Sequence, residues 1–267
     1  MRKLVEYKII SGNIIETRRT YMTIRNPGEK SRRAPRTAGN TSEQKIKANE
    51  RDSVKELARR INANYKRGDG HIVLKYEEHN LPRDEHGKPS YEEAEKCLAK
   101  FIRKYRAAFR KAYDRDPLVV DITANWNPHK NCPARLHHHL VIEKEGRELV
   151  FQLWGEEAVR FEALDGRLDH SDLAAYLVAN VKAAPGKKRW HGTRNLAKPI
   201  YTEPVEVDDV EDVRPEKEAV IKEHSVSTDE DGRVISSYLR VAVAHRPKVR
   251  GGKIVMPKKK KRGGRAI

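Results

Sequence analysis

Three consecutive histidines, at positions 137, 138 and 139, are the clearest candidates for chemistry in the 267-residue chain. They lie in a β-type run that continues to Ile142. Because strand side chains alternate between two faces, His137 and His139 are predicted to share one face and His138 to point to the other. Two imidazoles about 7 Å apart along a strand can hold one metal ion if a neighbouring strand supplies a third ligand. The pair therefore predicts a metal site.

A structural zinc site is the alternative use of the same histidines. His129 and Cys132, taken together with His137 and His139, offer four ligands of the types that zinc prefers. The spacing disfavours this alternative. A four-ligand zinc knuckle needs a tight turn between its ligand pairs, whereas residues 133–136 lead directly into the predicted strand.

Tyr176 is the candidate nucleophile. It lies in the helical pattern of residues 169–182, in which Leu173, Leu177 and Val181 form an apolar stripe. Tyr176 falls at the border of that stripe, so its hydroxyl group can leave the core. A helix tyrosine is ordinarily a packing residue, and it becomes a candidate nucleophile only beside a metal that polarises a phosphate.

A basic segment after this helix is the candidate nucleic-acid contact. Its cations surround one aromatic ring, a composition that suits single-stranded nucleic acid because cations bind the backbone and a ring stacks on a base. The residues concerned are Lys187, Lys188, Arg189, Trp190 and Arg194. The alternative is a basic turn with Trp190 packed inward.

Composition supports a nucleic-acid partner and excludes other classes. The chain has 56 Lys and Arg against 39 Asp and Glu, a net charge of +17, and clustered cations displace the counterions of phosphate. No apolar run approaches the roughly 18 residues of a membrane span, and Glu6 and Lys8 interrupt the place of a signal peptide's apolar stretch. Two cysteines form no disulfide framework and fit a reducing compartment. A cytoplasmic location is expected.

The charge distribution divides the chain into four predicted regions. Residues 1–50 read as a flexible basic N-terminal arm, and residues 51–202 as the folded domain. Residues 203–245 form an acidic linker and a small C-terminal region. Residues 246–267 carry ten Lys and Arg and no Asp or Glu, which predicts a disordered basic tail.

The folded region is predicted to be α+β. Ser90 and Glu93 have capping-box spacing and begin the clearest amphipathic helix, and Ser42 is a plausible cap for an earlier one. The predicted helices cover 43–66, 90–109, 147–154 and 169–182, and the predicted strands cover 71–76, 118–125, 136–143 and 159–164. This order matches a split β-α-β pattern, an antiparallel sheet with helices on one face.

Taken together, these segments resemble the rolling-circle replication initiators of the HUH endonuclease superfamily. The strand from His71 to Tyr76 resembles the first family motif, and Arg135 to His139 resembles the second, histidine–hydrophobic–histidine, with His138 in the middle place. Tyr176 within Leu-Ala-Ala-Tyr-Leu resembles the nucleophile helix. The segment 185–199 resembles the stretch that follows it. The resemblance covers about half of the chain.

The resemblance implies a metal-dependent endonuclease that nicks and rejoins single-stranded DNA. His137 and His139 would hold Mg²⁺ or Mn²⁺, and Tyr176 would form a 5′-phosphotyrosyl intermediate. The family usually adds a Glu ligand from the preceding strand, for which Asn125, or Asp121, is the substitute here. It also places a lysine three residues after the tyrosine, where this chain has Ala179, so Lys182 is the substitute.

The implied partners are single-stranded DNA at a replication origin and a host helicase or polymerase, in a bacterial or phage-infected cell, with no membrane. Two other functions remain open from the sequence. One is a non-catalytic nucleic-acid-binding protein, with or without structural zinc. The other is a degenerate initiator that binds an origin without cutting it.

Overall fold

The structure, a computed structural model, describes residues 2–23, 43–182, 187–216, 218–250 and 253–255. The chain divides into two compact units. One is Ala38–Lys198, called here the site unit, and the other combines Met1–Thr37 with Pro199–Ile267, called here the terminal unit.

Strands and helices alternate in the site unit, whereas the described part of the terminal unit contains strands alone. In chain order the described elements are β1 Arg2–Ser11, β2 Ile14–Thr23, α1 Glu43–Asn64, β3 Gly70–Lys75, α2 Tyr91–Tyr113, β4 Val119–Asn127, β5 Cys132–Ile142, α3 Arg147–Trp154, β6 Val159–Ala163, α4 Ser171–Ala179, β7 His191–Gly192, β8 Ile200–Tyr201, β9 Val205–Glu206, β10 Val220–Thr228, β11 Val234–Ala242, β12 Lys248–Arg250 and β13 Lys253–Val255.

The site unit is built on a five-stranded sheet with the order β6-β3-β5-β4-β7, in which every pair is antiparallel. Strand β5 lies between β3 and β4, which α2 connects, so the predicted split β-α-β arrangement is present. The register places His139 between Val73 of β3 and Ile122 of β4. The histidine strand is therefore the central strand of the sheet.

Helices cover both faces of this sheet, and the prediction of helices on one face is wrong. Helices α2 and α3 pack on the face that presents Leu74, Leu140 and Ile142. Helices α1 and α4 pack on the opposite face, against Ile122 and Val141. The physical reason is visible in the strands: a continuous apolar run such as 140–142 supplies side chains for two buried faces rather than one.

Local capping explains why α2 begins where the sequence predicts. The side-chain oxygen of Ser90 accepts a hydrogen bond from the backbone N–H of Glu93 at 3.3 Å, which satisfies a donor that the first helical turn leaves unpaired. The predicted cap of α1, Ser42, lies outside the described residues. Helix α4 is shorter than the predicted 169–182, because the chain turns at Asn180.

Strand β5 starts four residues earlier than predicted, at Cys132, and includes Pro133. Proline lacks the N–H of a ladder hydrogen bond and is confined to strand positions with a free edge. Strand β3 pairs with β5 only from His137 onward, so the first residues of β5 have such an edge.

Residues 2–23 form a hairpin, and the predicted N-terminal arm is wrong for this stretch. Strands β1 and β2 pair along their whole length around a turn in which Gly12 takes a φ of 62°. Apolar pairs such as Ile9-Ile10 and Ile14-Ile15 supply both faces of the hairpin and outweigh the basic residues between them. Residues 43–50 belong to α1. The segment 24–42 lies outside the described residues.

The predicted disordered tail is partly wrong, and the predicted linker with a small C-terminal region, residues 203–245, contains strands of the terminal sheet. Strands β10 and β11 form a second hairpin, and β11 pairs with β2, so the two ends of the chain share the sheet β10-β11-β2-β1-β8, with β9 also paired to β1. Within the predicted tail, β12 pairs with β13, and residues 251–252 and 256–267 lie outside the described residues. None of the described helices is long and apolar enough to cross a membrane.

Candidate active site

The alternation predicted for the three histidines is confirmed. The Nε2 atoms of His137 and His139 lie 3.2 Å apart on the face that α1 and α4 cover. His138 lies on the other face, fully buried, where the rings of Tyr76 and Trp154 surround it. Successive residues of one strand therefore serve a polar site and a packed core.

His71 is the third histidine of the site, and sequence reasoning missed it. Strand β3 carries it to the same sheet face, where its Nε2 lies 3.0 Å from Nδ1 of His139. The two rings are stacked, with centroids 5.2 Å apart. Strand alternation predicts which face of β3 carries His71, but that face can be assigned to the site only when the strand that pairs with β3 and the register of the pairing are known. The sequence alone gives neither.

Burial keeps these imidazoles neutral. It lowers the pKa of His139 to about 2, with smaller contributions from the neighbouring histidines. Burial also lowers the pKa values of His71 and His137. A neutral imidazole carries a lone pair on one nitrogen, which is the form that binds metals.

The proton positions can be assigned in part. His137 Nδ1 lies 2.8 Å from the carbonyl oxygen of Arg135, which can only accept, so Nδ1 donates and Nε2 keeps its lone pair. His139 can donate from Nδ1 to His71 or from Nε2 to His137. If His137 and His139 held a cation through their Nε2 atoms, His139 would donate from Nδ1 to His71, and His71 would then orient the His139 ring.

The His137 and His139 pair fits a divalent cation as two ligands. Metal–nitrogen distances of about 2.0–2.1 Å are compatible with nitrogens 3.2 Å apart. A third protein ligand is not preformed: in the described part of the chain, no group of three or more His, Cys, Asp or Glu side chains is arranged to hold a metal ion. The reason is that His71 faces the far nitrogen of His139.

The substitutes predicted for the family's Glu and Lys have other partners. The side-chain oxygen of Asn125 accepts from the backbone N–H of Lys182 at 2.9 Å, and its amide group donates to the Lys182 carbonyl oxygen. The Lys182 ammonium group lies 4.0 Å from the centroid of the Trp126 ring. Asp121 lies on the opposite sheet face, because it pairs with Leu140. The β4 positions that face the histidine pair are Ile122 and Ala124.

Asp121 has its own environment on that opposite face. Burial raises the pKa of its carboxyl group to about 6, although the nearby His191 imidazole, 3.7 Å away, lowers it. Asp121 is therefore a partly buried acid beside a histidine and does not belong to the candidate metal site.

Tyr176 lies beside His71 and His139. Helix α4 buries Ala174, Leu177 and Val178 against the sheet, and this anchoring fixes the direction of the Tyr176 side chain. The ring centroid of Tyr176 is 5.5 Å from that of His139 and 6.2 Å from that of His71, in both cases edge to face. The side chain stays 43 % exposed, so an incoming ligand can reach it.

The zinc alternative does not match the geometry. Cys132 is a free thiol at the start of β5. It precedes His137 by five strand residues, a separation of about 16 Å at about 3.3 Å per residue. His129 lies in the turn before the strand. Neither residue converges with the histidine pair.

The basic segment divides into structural and accessible residues. Arg189 donates to the Val181 carbonyl oxygen and pairs with Glu50 at 3.2 Å, so its charge fastens the segment to α1. Trp190 packs against the core, as the inward alternative predicted. Lys188 and Arg194 are exposed along an open groove of about 930 Å³.

The groove itself is formed by α1 on one side and the basic segment on the other. Its remaining cations are Arg60, Lys187 and Lys198, and its acids are Asp52 and Glu56. The surplus of cations makes it a candidate path for a phosphate backbone.

Neither the family models, the curated proteins nor the solved structures with which the chain was compared match it.

Proposed function

We propose that the protein is a metal-dependent endonuclease that nicks and rejoins single-stranded DNA through a tyrosine nucleophile, and so initiates rolling-circle replication. The observation that carries the proposal is the position of Tyr176 beside the paired Nε2 atoms of His137 and His139. The candidate nucleophile, which is partly exposed, and the two candidate metal ligands therefore lie within one small region.

The chemistry is a transesterification. The Tyr176 phenolate oxygen attacks the phosphorus atom, the bond from phosphorus to the 3′ oxygen breaks, and that oxygen takes up a proton as a free 3′-hydroxyl group. The phenolic proton is released to water, and the phosphorus stays bound to tyrosine at the 5′ end. The reverse attack by a 3′-hydroxyl group rejoins the strand, because the ester bond energy is retained.

The chain's own groups prepare this step. His137 and His139 would hold Mg²⁺ or Mn²⁺, and His71 keeps the His139 ring in place. When bound, the cation would draw negative charge from the scissile phosphate and make attack on it easier. Helix α4 would hold Tyr176 near the scissile phosphate. Fixing the nucleophile in this way lowers the entropy cost of bringing the two reactants together.

The DNA path is proposed to follow the groove between α1 and the basic segment. Lys188 and Arg194 supply exposed charge there. Arg189 and Trp190, which were candidates from the sequence, contribute by shaping the groove, since both are used in packing. Binding through phosphate contacts of this kind carries no sequence information by itself.

The test is covalent capture. Wild-type protein, incubated with a pool of end-labelled single-stranded oligonucleotides and Mn²⁺, should form a labelled protein–DNA adduct that survives denaturing electrophoresis. Tyr176→Phe should keep the DNA affinity and lose the adduct, because the ring remains and the nucleophilic oxygen is gone. Chelation should have the same effect on wild type. Tyr201→Phe, an exposed tyrosine of the terminal unit, is the matched control and should retain the adduct.

Two results would overturn the assignment. A metal-dependent adduct in Tyr176→Phe would transfer the role to another tyrosine. No adduct from wild type with any substrate or cation would remove the endonuclease proposal altogether.

One observation favours a second candidate function, an initiator that binds DNA without cutting it. The two β4 side chains that face the histidine pair are Ile122 and Ala124, so no carboxylate reaches the pair from that strand. If the protein binds DNA without cutting it, no adduct should form, and binding of single-stranded DNA should not depend on divalent metal.

A further inference from the structure

A cavity of about 430 Å³ opens directly beside the candidate nucleophile. His71 and Tyr176 line one end of it. The rest is formed by β6, by the segment after β6 and by the start of α4. A ligand in this cavity would therefore contact the same two residues that border the proposed reaction centre. Its volume lies in the range of pockets that hold small molecules.

The charges of the lining disfavour a phosphate group. Four carboxylates line the cavity, Glu162, Asp165, Asp169 and Asp172, against the two arginines Arg160 and Arg167. One of those arginines is already paired, since Arg167 lies 2.6 Å from Asp165. Negative charge is in surplus, so the cavity suits a neutral ligand that donates hydrogen bonds. The apolar side chains Val73, Leu164 and Leu173 provide surface against which a flat ring can pack.

His170 is a largely buried histidine of the cavity whose ring makes no hydrogen bond to the described residues. It lines the cavity and is only 7 % exposed. Its backbone N–H donates to Asn62, but among the described residues its ring nitrogens have no hydrogen-bond partner. The ring nitrogens are not among the fully buried atoms, so solvent reaches them through the open side of the cavity, and a ligand that hydrogen-bonds to them would take the place of that water. Burial also lowers the His170 pKa, so the ring offers one donor and one acceptor near neutral pH.

We propose that this cavity binds the nucleobase next to the scissile phosphate and selects a base that carries an exocyclic amino group. The proposal rests on the proposed function, because it takes the ligand to be the strand that Tyr176 attacks. Adenine, cytosine and guanine present an amino donor to the carboxylates and ring positions for His170. Thymine presents carbonyl acceptors, which face the carboxylates unfavourably. The cavity thus supplies the sequence selectivity that a phosphate-binding groove cannot.

The experiment is selection from a pool of random 12-nucleotide single-stranded DNA, with Tyr176→Phe as the binding protein so that no strand is cut. Sequencing of the bound fraction should show one position at which thymine is depleted about tenfold or more, the discrimination of one good base contact. In Tyr176→Phe combined with His170→Phe, the depletion at that position should fall below about twofold, while other positions keep their pattern.

Two further variants separate recognition from folding. His170→Gln keeps a donor and an acceptor in the cavity and should retain most of the preference, whereas His170→Phe keeps the ring volume without the polar atoms. His79→Phe is the matched control, because that histidine is 76 % exposed and does not line the cavity, and it should change nothing. Tryptophan fluorescence checks that each variant is folded.

The outcomes distinguish the two proposals. A wild-type adduct together with tolerance of thymine at every position overturns the base pocket and leaves the endonuclease intact. The base pocket is also overturned, and the endonuclease left intact, if His170→Phe leaves the depletion of thymine unchanged. A restricted position that depends on His170, but no adduct, supports the pocket in a protein that binds without cutting. Absence of any binding to the pool overturns both.

Discussion

His138→Ala is expected to destabilise the site unit while leaving in place the sheet face that carries His137 and His139. His138 is fully buried, and both ring nitrogens are used: Nε2 pairs with the Tyr76 hydroxyl group at 2.5 Å and Nδ1 with the Thr123 hydroxyl group at 3.1 Å. Truncation to alanine leaves both hydroxyl groups buried without this partner and opens a cavity beside Trp154. His137→Ala, one residue earlier, removes a half-buried ring from the other face.

The magnitudes follow from these contacts. A buried group left without its hydrogen bond costs about 1–3 kcal/mol, and the lost packing adds to this, so His138→Ala should lower the free energy of unfolding by about 3–5 kcal/mol. His137→Ala should lower it by less than about 1 kcal/mol. At about 2–4 °C per kcal/mol for a domain of this size, the melting temperature should fall by roughly 6–20 °C for His138→Ala.

Tryptophan fluorescence measures this in the right place, because the three tryptophans, Trp126, Trp154 and Trp190, all lie in the site unit. Urea titrations of the two variants give the free energies directly. The order should reverse in the adduct assay at low temperature, where folded His138→Ala retains activity and His137→Ala or His139→Ala does not. Equal stability of His138→Ala and wild type would refute the assigned network, and equal loss of adduct in all three would refute the two-face argument.

Three further perturbations test other parts of the structure. Burial raises the Asp121 pKa to about 6 from about 3.9 in the unfolded chain, so the folded state binds the extra proton and the free energy of unfolding falls as pH rises through that window. The free energy of unfolding of Asp121→Asn, measured by urea titration, should equal that of wild type near pH 4 and exceed it by up to about 3 kcal/mol above pH 7. Arg189→Met should lower the melting temperature, because the contacts of Arg189 with the Val181 carbonyl oxygen and with Glu50 are lost. Arg194→Met should leave the melting temperature unchanged and weaken binding to an oligonucleotide in a fluorescence anisotropy assay. Ending the chain after Val255 removes six Lys and Arg. The slope of log affinity for DNA against log salt concentration should become less steep by up to about four, while the melting temperature stays constant. An unchanged slope would exclude the tail from DNA contact.

Properties that depend on a short stretch of chain could be predicted from the sequence. The faces of His137 to His139 follow from the two-residue period of a strand, and the start of α2 follows from the side chain of Ser90 and the backbone of Glu93 three residues later. The position of Tyr176 at the edge of an apolar helical stripe has the same local origin. Each of these needs no knowledge of which elements are neighbours.

Properties that depend on pairing between distant segments could not be predicted. His71 joins the site because β3 pairs with β5 in one register, and a shift by one residue would turn it to the other face. Asn125 was a candidate ligand by the family resemblance, but a register irregularity near the end of β4 and the hydrogen bonds to the Lys182 backbone give its side chain another use. The N-terminal hairpin was hidden because its basic composition resembles that of an arm, and its partner strand β11 lies more than 200 residues away.

The terminal unit is assembled from both ends of the chain, and this has a consequence for biosynthesis. The β1–β2 hairpin is synthesised before the site unit, yet its neighbour β11 follows only after the whole site unit has been made. At about 5–20 residues per second, translation of the intervening chain takes about 10–40 s, during which a two-stranded hairpin is marginally stable at best. The site unit has all its strands in one continuous stretch and can fold in that interval. Synthesis therefore imposes an order in which the site unit matures before the sheet that contains both ends of the chain, and the β1–β2 hairpin is the segment most dependent on protection while it waits.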